Sequence, residues 1–169
     1  MAKLGADLNA RDENGATAMM HAAVANALPA VEALIAGGAD PNLQDHRDGS
    51  TAAILAAYGV RRETLRYFIA HPGVDLTLRD VGSATVAGHA AQRNMNEELL
   101  AILKRCGPGG AGRLVRGEKV YLGKKQELTR QLEGLSLAHL AELAASWRAR
   151  PIAGDDKKAL IVKLLQRTP

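Results

Sequence analysis

Aromatic side chains make up only 3% of the 169 residues, with a single Trp and a single Phe. A core must therefore be filled by Ala, Leu, Ile and Val, which favours short, closely packed helices. Cysteine occurs once, at Cys106, so no internal disulfide can form, and no Cys/His spacing matches a zinc cage. No run approaches the roughly 18 to 20 continuous apolar residues of a membrane span, and residues 1–7 lack a targeting pattern. Walker or dinucleotide glycine patterns are missing as well. These absences lead us to expect a soluble chain, intracellular or organellar with its compartment open, without cofactor, metal or small-molecule substrate. What is present is 47% hydrophobic residues, enough to bury a core.

The formal net charge of +4 is unevenly spread. Residues 1–107 carry 10 Lys/Arg against 12 Asp/Glu, whereas residues 108–169 carry 12 against 6. A basic final third suits an acidic partner, such as nucleic acid, an acidic protein face or an anionic membrane, and suits a solvated surface equally well.

Three landmarks recur at a period of 34 residues: Thr17, Thr51 and Thr85; the pairs Ala22-Ala23, Ala56-Ala57 and Ala90-Ala91; and Val31, Leu65 and Leu99. That spacing holds two short helices per period. Small residues after each Thr allow close helix approach, and the later apolar set, such as Val31, Leu34 and Ile35, follows a helical period. One unit buries too little to fold alone, so neighbours must stack. A 34-residue period also suits tetratricopeptide repeats, but their signature aromatics are absent.

Between the helices the chain reads Gly38-Ala39-Asp40-Pro41-Asn42, then Asp48-Gly49-Ser50-Thr51. An earlier copy reads Gly5-Ala6-Asp7-Leu8-Asn9, then Asn14-Gly15-Ala16-Thr17. Asp, Asn and Gly supply tight turns and positive backbone dihedrals, and each Thr can cap the following helix. In these motifs the chain resembles the ankyrin family over residues 1–107. The resemblance implies an all-α fold: an ankyrin-repeat solenoid of about three helix pairs with β-hairpin-like fingers, followed by a small basic helical domain.

Several departures stand out. The finger Asp45-His46-Arg47-Asp48-Gly49 and the crossing His71-Pro72-Gly73-Val74-Asp75 are each one residue longer than the usual ankyrin pattern. The third unit has Ser83 where the turn glycine is expected, and Gly88 inside a helix, at about 1 kcal/mol relative to alanine. The chain opens on the end of a repeat whose two helices are missing, which leaves an upstream start or an orphan first finger.

Residues 108–113, rich in glycine after Gly107, read as a linker. Residues 114–134 suit a short hairpin about Gly117-Glu118 followed by a helix through Leu128 and Leu132. From Ser136 the pattern Leu137, Leu140, Leu143, then Pro151-Ile152-Ala153-Gly154, then Lys157 to Leu165 gives helix, loop, helix. Residues 135–169 thereby resemble the SAP motif and its LEM and Rho-N relatives, although the loop holds an extra residue and another precedes the lysines. Ser136 is expected to cap the first helix and Asp155-Asp156 to open the second. The resemblance implies phosphate contacts through Arg148, Arg150, Lys157, Lys158 and Lys163. Trp147 is expected to plug this small core rather than stack on a base. A docking box at Leu135 to Trp147, of the kind that recruits ubiquitin ligases, is a further reading.

No catalytic constellation emerges. The five histidines have neither a zinc spacing nor a nucleophile partner, and His21 and His89 occupy the same repeat position. Cys106 ends a helix and reads as a packed thiol. If the ankyrin resemblance holds, contact residues fall on finger tips and first helices: Arg11, Glu13 and Asn14; Gln44, His46 and Arg47; Arg79; and Val24, Ala25, Tyr58, Gln92 and Arg93. Arg11, Gln44 and Arg79 share one repeat position and should form a polar row, with Tyr58 the best anchor. We therefore expect a non-catalytic protein interaction module, an adaptor, scaffold or assembly subunit. The alternative is a nucleic-acid-associated protein using the basic C-terminal unit.

Overall fold

The computed structural model describes residues 5–114, 128–147, 149 and 156–167, with the backbone alone for residues 108–114. Among these, every regular element is helical: α1 (Ala18–Val24), α2 (Leu28–Ala36), α3 (Ala52–Tyr58), α4 (Arg62–Ala70), α5 (Val86–Gln92), α6 (Asn96–Leu114), α7 (128–133), α8 (Leu137–Ser146) and α9 (Lys157–Leu165). The chain divides into two compact units, Met1–His89 and Ala90–Pro169. That division falls within α5, earlier than the boundary expected at residue 107.

In the first unit the repeat chemistry acts as the sequence suggests. The hydroxyls of Thr17, Thr51 and Thr85 accept hydrogen bonds from the backbone N–H groups of Met20, Ile54 and Gly88, at 3.5, 3.2 and 3.3 Å. Each satisfies one of the donors that a helix start leaves over. Helix α1 packs on α2 and α3, and α4 packs on α2 and α3. Ala23, Ala56 and Ala57 are fully buried, so small side chains set the helix spacing. The period-34 apolar positions Val31 and Leu65 are fully buried as well, beside the lone Phe68.

Adjacent fingers are joined through their backbones and asparagines. His46 N–H donates to the Asn14 carbonyl at 3.0 Å, and Val81 N–H donates to the Asp48 carbonyl at 2.8 Å. Asn9 Oδ1 accepts from Asp40 N–H at 2.8 Å, and Asn42 Oδ1 accepts from Asp75 N–H at 2.7 Å. The turn positions Gly15, Gly49 and Ser83 all have positive φ, of 74°, 63° and 62°. Ser83 thus adopts the left-handed conformation that its glycine counterparts reach without strain.

In the second unit, α6 carries a break at Gly107 (φ 64°, ψ −178°), and residues 108–114 continue as helix instead of forming the expected linker. Gly107 takes the entire left-handed turn, and Pro108 follows it at the position where a new helix tolerates proline. The hairpin expected about Gly117-Glu118 lies outside the described residues. Helix α8 packs on α6 and α9. Ser136 caps α8 by accepting from His139 N–H at 3.2 Å, and Asp156 caps α9 by accepting from Ala159 N–H at 2.8 Å. Trp147 is buried, and its Nε1–H donates to the Leu103 carbonyl at 3.2 Å, so the ring is core.

Candidate functional site

The fingers and first helices of the first unit enclose a groove made of two hollows. One, of about 300 Å³, lies among Asp12, Asn14, Met20, His21, Val24, Ala25, Asp45 and Leu55. The other, of about 430 Å³, lies among Ser50, Ile54, Tyr58, Asp80, Val81, Gly82 and His89. Arg47, Asp48 and Leu55 line both, which makes the groove continuous. Its apolar surface is unusually open: Val24 is 48% exposed, Tyr58 56% and Val81 77%. The Tyr58 ring meets His89 edge to face, with centroids 5.8 Å apart and planes at 83°.

Finger acids and helix imidazoles tie the groove's two walls together. His21 Nε2 lies 2.8 Å from Asp12 Oδ2 on the open surface, and His89 Nε2 lies 2.7 Å from Asp80 Oδ2 in a nearly buried pair. Asp12 sits below the ordinary carboxylate value of 3.8, first because His21 donates to it and next because Ala16 N–H does. The second repeat has Leu55 in place of the imidazole, and Asp45 Oδ1 accepts from the N–H groups of Asp48 and Ser50 at 2.8 and 3.3 Å.

The expected contact residues separate into groups. Asn14, Val24, Ala25, Arg47 and Tyr58 line the groove, and Glu13 is exposed on the first finger. Arg11, Gln44 and Arg79 do form a row, but their donors are used inside the stack. Arg11 Nη1 donates to the Gly15 and Gln44 carbonyls at 2.8 and 2.6 Å. Gln44 Nε2 donates to the Gly49 and Arg79 carbonyls at 2.5 and 2.6 Å, and Arg79 Nη1 donates to Ser83 O at 2.6 Å. Partial burial weakens the Arg79 guanidinium's hold on its proton, and Asp80 opposes that effect. His46 lies close against Gly15. Gln92 and Arg93 are exposed in the second unit. Asp12, Asp48, Asp80, His21, His89 and Val81 were missed as site residues. The nine-residue step from Asp12 to His21, repeated from Asp80 to His89, is the signal that could have found them.

Of the expected phosphate contacts, Lys157 donates Nζ to the Glu133 carbonyl at 2.6 Å and is engaged within its own unit. Lys158 is exposed and Lys163 half-buried, while Arg148 and Arg150 lie outside the described residues. Among the described residues no group of three or more His, Cys, Asp or Glu could hold a metal ion, and no helix is long and apolar enough to cross a membrane.

Stacked helix pairs with projecting hydrogen-bonded fingers define a repeat solenoid. Residues 1–80 match the family described as Ankyrin repeats (3 copies), and the chain carries ankyrin repeats there. Over 72 residues it is 40% identical to the rat ankyrin repeat and SAM domain-containing protein 6, covering 43% of this chain and 8% of that protein. Over 93 residues it is 34% identical to mouse NF-kappa-B inhibitor delta, covering 55% of this chain and 28% of that protein. The chain therefore spans less than a third of either relative.

Among the solved structures that share the fold, two serve as examples. One is a chain from the Bdellovibrio bacteriovorus predatory endopeptidase in complex with an immunity protein, with TM-score 0.56 and 23% identity over 94% of this chain and 86% of that one. The other is an ankyrin repeat domain from Acinetobacter baumannii, with TM-score 0.55 and 21% identity over 98% of this chain and 89% of that one. Ankyrin repeats bind protein partners, so this part of the chain is a protein–protein interaction module.

Proposed function

We propose that the chain is a non-catalytic adaptor or assembly subunit, in which the groove between fingers and first helices holds one protein and the basic C-terminal helices dock a second partner. The observation that carries this reading is the continuity of the two hollows across the shared Arg47, Asp48 and Leu55, with Tyr58 exposed beside them. A rigid, half-exposed aromatic beside an apolar floor is the usual anchor of a protein interface. One relative, 34% identical over 93 residues, is named as an inhibitor of NF-kappa-B. Binding here would work by complementarity, with the backbone-linked fingers holding the surface in shape before the partner arrives.

Affinity capture from native extract tests the reading, using the intact chain and its Tyr58→Ala variant across a salt series. A protein retained by the intact chain and weakened about tenfold or more by the substitution is the expected result. Retention of nucleic acid alone, falling steeply with salt and indifferent to Tyr58, would replace the groove with the basic C-terminal helices as the working surface.

A further inference from the structure

The groove carries more negative charge than a generic docking surface needs. Asp12, Asp45, Asp48 and Asp80 line its hollows, opposed by a single guanidinium, Arg47. The two imidazoles do not cancel the acids while neutral. They donate Nε2–H to a carboxylate and so orient it without removing its charge.

His89 holds Asp80 in place. Its Nε2 is committed to Asp80 at 2.7 Å, with Nδ1 on the other side of the ring. That Nδ1 is buried and has no hydrogen-bond partner. That atom is closed off from the hollow's solvent, so the ring acts as a fixed brace for Asp80 and makes no contact of its own with an occupant. Beside it stands Tyr58, more than half exposed, whose ring can take a cation on its face.

We propose that the larger hollow is a cation pocket, taking an Arg or Lys side chain from an extended segment of the partner protein between Asp48, Asp80 and the Tyr58 ring. The inference deepens the groove reading and rests on it. Arginine fits best, because its flat guanidinium offers donors in a fixed fork to carboxylates and stacks on an aromatic ring. An acidic side chain would meet the carboxylates unfavourably, and an apolar one would bring them no countercharge.

Selection from a displayed library of random 12-residue peptides tests this, run on the full chain and repeated on its Asp48→Asn and Tyr58→Ala variants. Asp48 is suited to the substitution because its side chain is exposed while its backbone makes the finger contacts. The expected outcome is enrichment of peptides with a fixed Arg or Lys, whose affinity falls about tenfold or more on Asp48→Asn. Peptides that need Tyr58 but carry a neutral or acidic anchor would overturn the cation pocket and leave the groove reading standing. Peptides indifferent to both substitutions, or no enrichment at all, would overturn both. Circular dichroism of each variant establishes that a lost affinity is not a lost fold.

Discussion

His89 reaches back nine residues to place Nε2 2.7 Å from Asp80 Oδ2, joining an inner helix to its own finger. His21 and Asp12 make the same connection at 2.8 Å, two repeats earlier. Between them the second repeat offers Leu55 to the groove and keeps Asp45 as a turn acid. Each finger therefore contributes a carboxylate, whereas only the first and third are braced by an imidazole. The brace is solvent-exposed in the first repeat and buried in the third.

Titration of the exposed pair gives a direct check. Asp12 is held below 3.8 chiefly by the hydrogen bond from His21. Its folded pKa is depressed, so its contribution to stability is present above the unfolded value and is lost as pH falls through the folded one. His21→Ala is expected to raise the Asp12 midpoint toward 3.8, read from its side-chain carboxyl carbon by NMR. An unchanged midpoint would assign the depression to the backbone donors Ala16 and Asn14 alone.

A second expectation concerns the tight turns that follow α1, α3 and α5. Asn26, Val60 and Asn94 occupy equivalent positions with φ of 55°, 57° and 54°. Asparagine tolerates the left-handed region, whereas a β-branched side chain there is strained by about 1–2 kcal/mol. Val60 is 41% exposed, so part of its packing is already forgone. Val60→Asn is expected to stabilise the chain by about 1 kcal/mol in urea denaturation. A loss of stability would mean that valine packing outweighs the strain.

Much of this fold was legible because its signals are local. A threonine ahead of a small-residue helix is a cap whatever surrounds it, and Thr17, Thr51 and Thr85 all act as one. The extra residue in the second finger was legible too: Asp12 and Asp80 accept from the N–H four residues on, and Asp45 from the N–H five residues on. Direction was not legible. Arg11, Gln44 and Arg79 could be placed in a row, but only the folded fingers bring neighbouring carbonyls within reach of their donors. The same holds for the Asp–His pairs, whose nine-residue step acquires meaning once finger and helix face each other. Glycine content suggested a linker at 108–113, yet a single left-handed residue, Gly107, was enough to redirect the chain between helical segments.

Gly88 in α5 has no conformational need for glycine. A Cβ added there would meet Ala84 Cβ at 3.8 Å and Thr85 Oγ1 at 3.9 Å, both ordinary contacts. Gly88→Ala is therefore expected to stabilise the chain by about 0.5–1 kcal/mol, through lower unfolded-state entropy and better helix propensity. Thermal unfolding monitored at 222 nm measures it. Because Gly88 N–H donates to the Thr85 cap, loss of stability would point to a disturbed cap.

Gly15 makes the opposite case, and it tests whether the fingers stack as a unit. Its φ is +74°, and a Cβ there would fall 2.4 Å from His46 Cγ on the next finger. Alanine must therefore enter the left-handed region, at about 1–2 kcal/mol, and also displace the imidazole. The displacement bears on the hydrogen bond from His46 N–H to Asn14 O that ties the two fingers together. Gly15→Ala is expected to destabilise by about 2 kcal/mol or more, the backbone strain and the clash adding. His46→Ala in the same chain should return the steric part and leave the backbone part, which a double-mutant cycle in urea separates. Strict additivity of the two substitutions would mean that the fingers adjust independently, and the preformed groove on which the binding proposal relies would lose its support.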